Sequence, residues 1–412
     1  MSTARAALPY DAWAVAAPGL EPLVAAELRQ LGVSRIAPET GGVSFRCDAL
    51  GLARAQLSLR VASRVVVRLA SFRATTFREL EREARRVEWG RFCAEGAAVR
   101  LRVTCRKSKL YHSDAVAERV GAAIARAVPA ARLESADGDE DTELGDDSQS
   151  PIAAAAAAEP PQIFVIRLDH DQCTISADAS GELLHRRGYR QAVGRAPLRE
   201  TLAAAMLAAV EWDTQTPLVD PLCGAGTIAI EAATRARRIA PGLGRRFAAE
   251  RWPESDASDW AAARATARRR ILPAAPAPIL GSDRDAGAIE AARANAERAG
   301  VAADIAFAQR ALSALEVPEG PGLLVANPPY GVRVGDPAAL RDLFARFGQV
   351  ARERCAGWRV ALLSADRALD AATALPFREI LQTSNGGIAV RLVVADLENE
   401  KTKTRTRSRT PG

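Results

Sequence analysis

Leu218-Val219-Asp220-Pro221-Leu222-Cys223-Gly224-Ala225-Gly226-Thr227, followed by Ile228-Ala229-Ile230-Glu231-Ala232-Ala233, reads as a strand, a tight glycine turn and a helix. Glycines at 224 and 226 let the backbone come close to a ligand where a Cβ would collide. A Gly-x-Gly pair alone is a weak signal, and a dinucleotide loop wants a third glycine near Ala229. Asp220 discriminates, because an acid at the strand end suits the ammonium or water shell of S-adenosylmethionine and repels a pyrophosphate. Asp220, Pro221, Cys223, Gly224, Gly226 and Thr227 are therefore the expected loop around the methionine end of that cofactor. The next strand, Pro278-Ile279-Leu280-Gly281-Ser282-Asp283-Arg284-Asp285, carries a second acid. Asp283 is expected to accept the ribose hydroxyls, as such acids do in nucleotide-binding α/β folds. Asp285 reads as the N-cap of a helix over 288–299.

A second motif lies further along. Ala326-Asn327-Pro328-Pro329-Tyr330 follows the apolar run Leu323-Leu324-Val325, which places a stiff loop at the carboxyl end of a buried strand. Open α/β sheets put their ligand crevice at that edge. Asn327 brings a side-chain carbonyl acceptor, Pro328 and Pro329 stiffen the turn and expose a backbone carbonyl, and Tyr330 offers a ring for stacking on a base. The set points to methylation of a planar exocyclic amine. Asn327 and the Pro328 carbonyl are expected to accept the amine N–H bonds.

These motifs, in this order, resemble bacterial THUMP-domain class I S-adenosylmethionine-dependent RNA guanine-N2 methyltransferases. The chain is similar to the amino-terminal half of the large-subunit rRNA enzyme and to its shorter relatives. Ala17-Pro18-Gly19-Leu20-Glu21, Lys107-Ser108-Lys109-Leu110-Tyr111 and Leu184-His185-Arg186-Arg187-Gly188-Tyr189-Arg190 carry the likeness, as does Ala196-Pro197-Leu198-Arg199-Glu200-Thr201-Leu202-Ala203. The resemblance implies a seven-stranded Rossmann-like methyltransferase sheet preceded by an α+β ferredoxin-like and THUMP RNA-binding module. It implies RNA contact at Arg106, Lys107, Lys109, Tyr111, Arg187, Tyr189 and Arg190, and a cofactor-covering segment around Thr201. The substrate it implies is 23S rRNA, with tRNA as the main rival. In the family an acid after the third strand often meets the adenine amine. Here Phe307-Ala308-Gln309-Arg310-Ala311 lacks it, and Gln309 or a backbone group is the expected substitute. Adenine N6 and glutamine side chains are other amines served by Asn-Pro-Pro-Tyr loops, and a decayed, non-enzymatic RNA-binding protein is a further alternative.

Composition narrows the class. The 412 residues imply two or three domains. No uninterrupted run of about 18 apolar residues and no signal-like start is present, so a cytoplasmic protein without membrane contact is expected. The six cysteines lack a Cys-x-x-Cys pair and there are only three histidines, so no metal site is expected. Residues 1–133 hold 22 Lys plus Arg against 12 Asp plus Glu, a basic footprint suited to RNA. The expected domains are 1–62 (ferredoxin-like), 63–179 (THUMP, with an acidic disordered insertion at 134–161), 180–397 (methyltransferase) and a basic disordered tail at 398–412.

Overall fold

A computed structural model describes residues 9–134, 159–190, 198–329 and 337–398, and Tyr330, most of the acidic insertion and the basic tail lie outside them. In chain order the elements are β1 (Tyr10–Val15), α1 (Glu21–Leu31), β2 (Ser34–Glu39), β3 (Gly42–Cys47), α2 (Ala49–Ser58), β4 (Arg64–Arg73), α3 (Phe77–Ala84), β5 (Ala98–Arg106), α4 (Ser113–Ala127), β6 (Arg132–Glu134), β7 (Gln162–Asp169) and β8 (Gln172–Asp178). There follow α5 (Glu200–Ala209), β9 (Leu218–Asp220), α6 (Thr227–Ala236), α7 (Ala257–Arg269), β10 (Ile279–Asp283), α8 (Ala286–Arg298), β11 (Ile305–Gln309), β12 (Leu323–Ala326), α9 (Pro337–Arg354), β13 (Arg359–Ser364), α10 (Arg367–Ala372), β14 (Arg378–Asn385) and β15 (Ile388–Asp396).

Two compact units emerge. The first comprises Met1–Ala17, Val24–Leu184 and Gly242–Thr266. Its sheet runs β2-β3-β1-β4-β8-β7-β5-β6 and is antiparallel except where β5 pairs with β6 and β7. The sequence division at residue 62 therefore falls inside one continuous sheet, because β1 and β8 both pair with β4. The expected domain at 180–397 also loses residues 242–266 to this unit. The reason is aromatic burial. Trp252 sits edge-on to Tyr10 and Phe92, and its indole N–H donates to Gln162 Oε1 at 2.9 Å. Arg91 pairs with Glu254 at 2.6 Å. Helix α3 shows how local chemistry sets a boundary, with Thr76 and Glu79 forming a reciprocal capping box.

The second unit comprises Pro18–Leu23, His185–Pro241 and Ala267–Gly412. Its sheet runs β11-β10-β9-β12-β13-β15-β14, with β9 to β13 parallel and β15 antiparallel to both its neighbours. The seven-stranded Rossmann-like sheet expected above is present. Phe344, Phe347, Val350 and Ala351 on α9 share one helical face and close over Leu324, Ala326, Val360, Leu362, Val393 and Ala395 of the sheet. Each fully buried side chain of this kind contributes about 1.5–3 kcal/mol. Exposed pairs such as Arg359–Asp396 contribute at most about 1 kcal/mol, so burial decides the layer. Among the described residues no helix is long and apolar enough to cross a membrane.

Candidate active site

Strand order reverses at β9, which lies between β10 and β12, and ligands of open α/β sheets bind at that switch. Register fixes what gathers there. Gly281 on β10 pairs with Asp220, and Leu324 on β12 pairs with Val219. Continuing along each strand, Asp283 and Asn327 stand two residues beyond the level of Asp220, one on either side of it. The glycine loop and the Asn-Pro-Pro loop thus share one rim of the sheet.

The loop after β9 holds its shape through left-handed glycines, with Gly224 at φ +49° and Gly226 at φ +83°. A Cβ on Gly226 would fall 3.0 Å from Ala292 Cβ and from Phe307 Cζ, so packing excludes a side chain. A Cβ on Gly224 would meet nothing within 4 Å, which leaves open space on the loop's other side. Asp283 carboxylate accepts from the Gly224 N–H at 3.0 Å and from the Asp285 N–H at 3.0 Å, tying β10 to the loop. Asp285 caps α8 by accepting from Gly287 and Ala288 N–H.

Asp220 is 1% exposed. Burial pushes its carboxyl up to about 8, the Leu222 N–H it accepts at 3.2 Å pulls it down, and Asp283 pushes it up further. Such an acid ionises readily only when a cation arrives. Burial and both acids push the Cys223 thiol far above its usual range. Pro221, Thr227 and Thr201 are also buried, whereas Gln309 at the end of β11 is exposed and donates to the Arg284 carbonyl at 3.3 Å.

Asn327 follows β12. Its Oδ1 is buried and has no hydrogen-bond partner among the described residues. An orphaned buried acceptor costs about 1–3 kcal/mol, and it is satisfied when a donor enters. Pro328 is buried and Pro329 exposed.

Arg187, Tyr189 and Arg190, expected at the RNA, are placed facing inward. Side chains of Arg187 and Arg190 are 4% and 12% exposed, and Tyr189 is 4% exposed. Arg187 faces Glu231 at 3.6 Å, the Tyr189 hydroxyl donates to Glu231 at 3.2 Å, and Arg190 faces Glu200 at 3.3 Å while donating to Thr227 Oγ1 at 2.8 Å. Two buried glutamates attract these side chains inward. His185 next to them is held neutral, its imidazole lowered to about 3 by burial and by Arg199, Arg186, Arg187 and Arg190. Sequence reasoning missed Asn295 and Arg298. Asn295 is 1% exposed and donates to the Ala225 carbonyl at 3.0 Å. The available signal was a lone amide three residues after buried Ala292 on an alanine-rich helical face.

Arg106 at the end of β5, and Lys107, Lys109 and Tyr111 in the loop that follows it, lie on the first unit, and all are exposed. The loop is braced against the β7–β8 turn. Lys109 N–H donates to Asp171 at 2.7 Å, Asp171 N–H donates to Ser108 Oγ at 3.0 Å, and Ser108 Oγ donates to the Arg106 carbonyl at 2.9 Å. Tyr111 is 68% exposed with its ring 4.0 Å from that of His112. Among the described residues no group of His, Cys, Asp and Glu stands close enough to hold a metal ion.

Residues 187–391 match the RMKL-like methyltransferase domain, and residues 11–66 match the RlmL ferredoxin-like domain. The putative RNA methyltransferase slr0064 of Synechocystis is 32% identical over 390 residues, covering 94% of this chain and 97% of that one. The ribosomal RNA large subunit methyltransferase K/L of Methylococcus capsulatus is 36% identical over 401 residues, 95% of this chain and 52% of its own, so this chain spans about half of it. The solved structure of SMU.472, a putative methyltransferase complexed with SAH, is 28% identical with a TM-score of 0.82, covering 95% of this chain and 99% of that one. The order of the β9–β15 sheet, the glycine loop at its switch point and these likenesses lead to one conclusion: the chain belongs to the RMKL-like methyltransferase family.

Proposed function

We propose that the chain transfers a methyl group from S-adenosylmethionine to the exocyclic N2 of a guanosine in RNA, with 23S rRNA as the substrate. The observation that carries the reading is the buried, unpartnered Oδ1 of Asn327 at the rim it shares with the glycine loop. Family membership supports the cofactor, since a related structure is complexed with SAH. The residues fit that cofactor: Gly224 leaves open space, Asp220 responds to a cation, and Asp283 retains lone pairs for ribose hydroxyls. Pro221, Cys223, Gly226, Thr227, Thr201 and Gln309 complete the proposed cradle. Bound there, S-adenosylmethionine supplies an electrophilic methyl carbon.

The protein's part is orientation and polarisation. A base amine is a weak nucleophile because its lone pair is delocalised into the ring, so the base must be extruded and its nitrogen aimed. Asn327 Oδ1 and the Pro328 carbonyl accept the two N–H bonds, which draws density towards nitrogen. Pro329 stiffens the clamp, and Tyr330, outside the described residues, stacks on the ring. The amine proton becomes acidic as the carbon–nitrogen bond forms, so no strong base is required. Arg106, Lys107, Lys109 and Tyr111 dock the RNA.

Asn327→Ala should lower kcat by about 10²–10³-fold, the loss typical of one preorganised donor or acceptor in a transition state. Steady-state kinetics with saturating RNA and cofactor measure it. A rate within about threefold of wild type would contradict the assignment, since so small a change is below 1 kcal/mol.

A further inference from the structure

The segment at 187–190 turns the side chains of Arg187, Tyr189 and Arg190 inward. From Tyr189 a polar chain runs to the glycine loop. The Tyr189 carbonyl accepts from Arg298 Nε at 2.6 Å, Arg298 donates to Asn295 Oδ1, and the Asn295 amide N–H donates to the Ala225 carbonyl at 3.0 Å. A parallel tie comes from the neighbouring residue, where Arg190 donates to the hydroxyl of Thr227 and faces Glu200. The two ties meet the loop at Ala225 and at Thr227, on either side of Gly226. Glu231, one turn further along α6, accepts the Tyr189 hydroxyl.

We propose that Asn295 is a positioning residue, which with Arg298 and the 187–190 segment holds the glycine loop in its ligand-ready shape before any ligand is present. The proposal rests on the cofactor reading above and deepens it. The physical case is that a loop with two left-handed glycines has wide conformational freedom when unbound. Fixing the Ala225 carbonyl removes much of it, and affinity falls in proportion to the fraction of molecules in the competent form. Asn295 is suited to the task because it is buried on a rigid helix and has both amide functions engaged. Its carbonyl oxygen is held by Arg298, which leaves its N–H₂ aimed at the loop.

Asn295→Asp isolates the contact. It preserves shape and the Arg298 pairing but turns the donor facing Ala225 into an acceptor. The full chain is measured in two ways. Calorimetry with S-adenosylmethionine should give a Kd raised about tenfold or more, the equivalent of one lost buried hydrogen bond at about 1.4 kcal/mol. KM for the cofactor should rise in step while kcat at saturation stays within about threefold. Amide hydrogen exchange of the ligand-free chain should show faster exchange confined to residues 221–228. Arg298→Gln, which loosens Asn295 without touching the loop, should shift both readouts the same way to a smaller extent. Unchanged Kd and unchanged loop exchange in a folded Asn295→Asp chain would overturn the proposal, and so would a fall in kcat with Kd intact. Faster loop exchange in the variant, together with a wild-type chain that binds no S-adenosylmethionine, would keep the brace and refute the cofactor reading instead. If Asn295→Asp fails to fold, an Arg298→Gln chain with wild-type exchange and Kd overturns it alone.

Discussion

Asp220 concentrates the electrostatic logic of the site in one carboxyl. It is buried, its ionisation lies near 8, and the charge closest to it in effect is the like-signed Asp283. The folded value is raised above the unfolded one of about 3.9, so its contribution to stability is full below about pH 4 and lost as pH rises towards 8. Asp220→Asn removes that penalty. Thermal melting at pH 9 should therefore give the variant a Tm equal to or above wild type, while its affinity for S-adenosylmethionine falls. In the wild type, binding a cation draws the proton off, so affinity should rise between pH 6 and 8 and then level. A lower Tm for Asp220→Asn at pH 9, with pH-independent affinity in wild type, would refute this reading. At this scale the sequence was informative wherever neighbours in the chain act together. Asp285 caps a helix through N–H groups two and three residues on, and such caps are legible. The inward placement of Arg187 and Arg190 was not legible, because their partners Glu231 and Glu200 lie 44 and 10 residues further along the chain and nothing local marks an arginine as buried.

Elements were legible in proportion to their periodicity. β5 opens with buried and more open residues in alternation, and the β7–β8 pair flanks a polar turn, so both carry a readable strand pattern. β2 reads Ser-Arg-Ile-Ala-Pro-Glu, is almost wholly exposed and borrows its conformation from β3, which gives the sequence no alternation to show. Helix α2 had a usable signal that was not taken up, the Asp48 side chain accepting from Gly51 N–H. The loop after β5 is the element with the clearest testable role. Lys107 holds φ +46° and the facing turn residues His170 and Asp171 hold φ +50° and +66°, so the loop is a built projection that carries two exposed lysines and an exposed tyrosine. If it docks RNA, a Lys107→Ala/Lys109→Ala chain should bind RNA more weakly and lower the slope of log K against log salt by about 1–2. Filter binding across a salt series measures it. A slope equal to wild type would reject both lysines as phosphate contacts.

At the scale of the molecule, the family match and the β11-β10-β9-β12-β13-β15-β14 order place a methyltransferase unit after a ferredoxin-like one. Pattern and motif foretold that much. They did not foretell that residues 242–266 leave the catalytic stretch to pack with the first unit, because the partners of Trp252 and Glu254, Tyr10, Phe92, Gln162 and Arg91, lie some 90 to 240 residues away. The K/L relative of Methylococcus capsulatus extends well beyond the region matched here, so the reaction of this chain has to be read from its own product. The most direct measurement incubates the purified chain with methyl-labelled S-adenosylmethionine and, separately, unmodified 23S rRNA and tRNA, then digests each RNA and identifies the labelled nucleoside by mass spectrometry. The account predicts label in N2-methylguanosine from 23S rRNA, lost in Asn327→Ala. Label in N6-methyladenosine, label confined to tRNA, or no label in any RNA would contradict it.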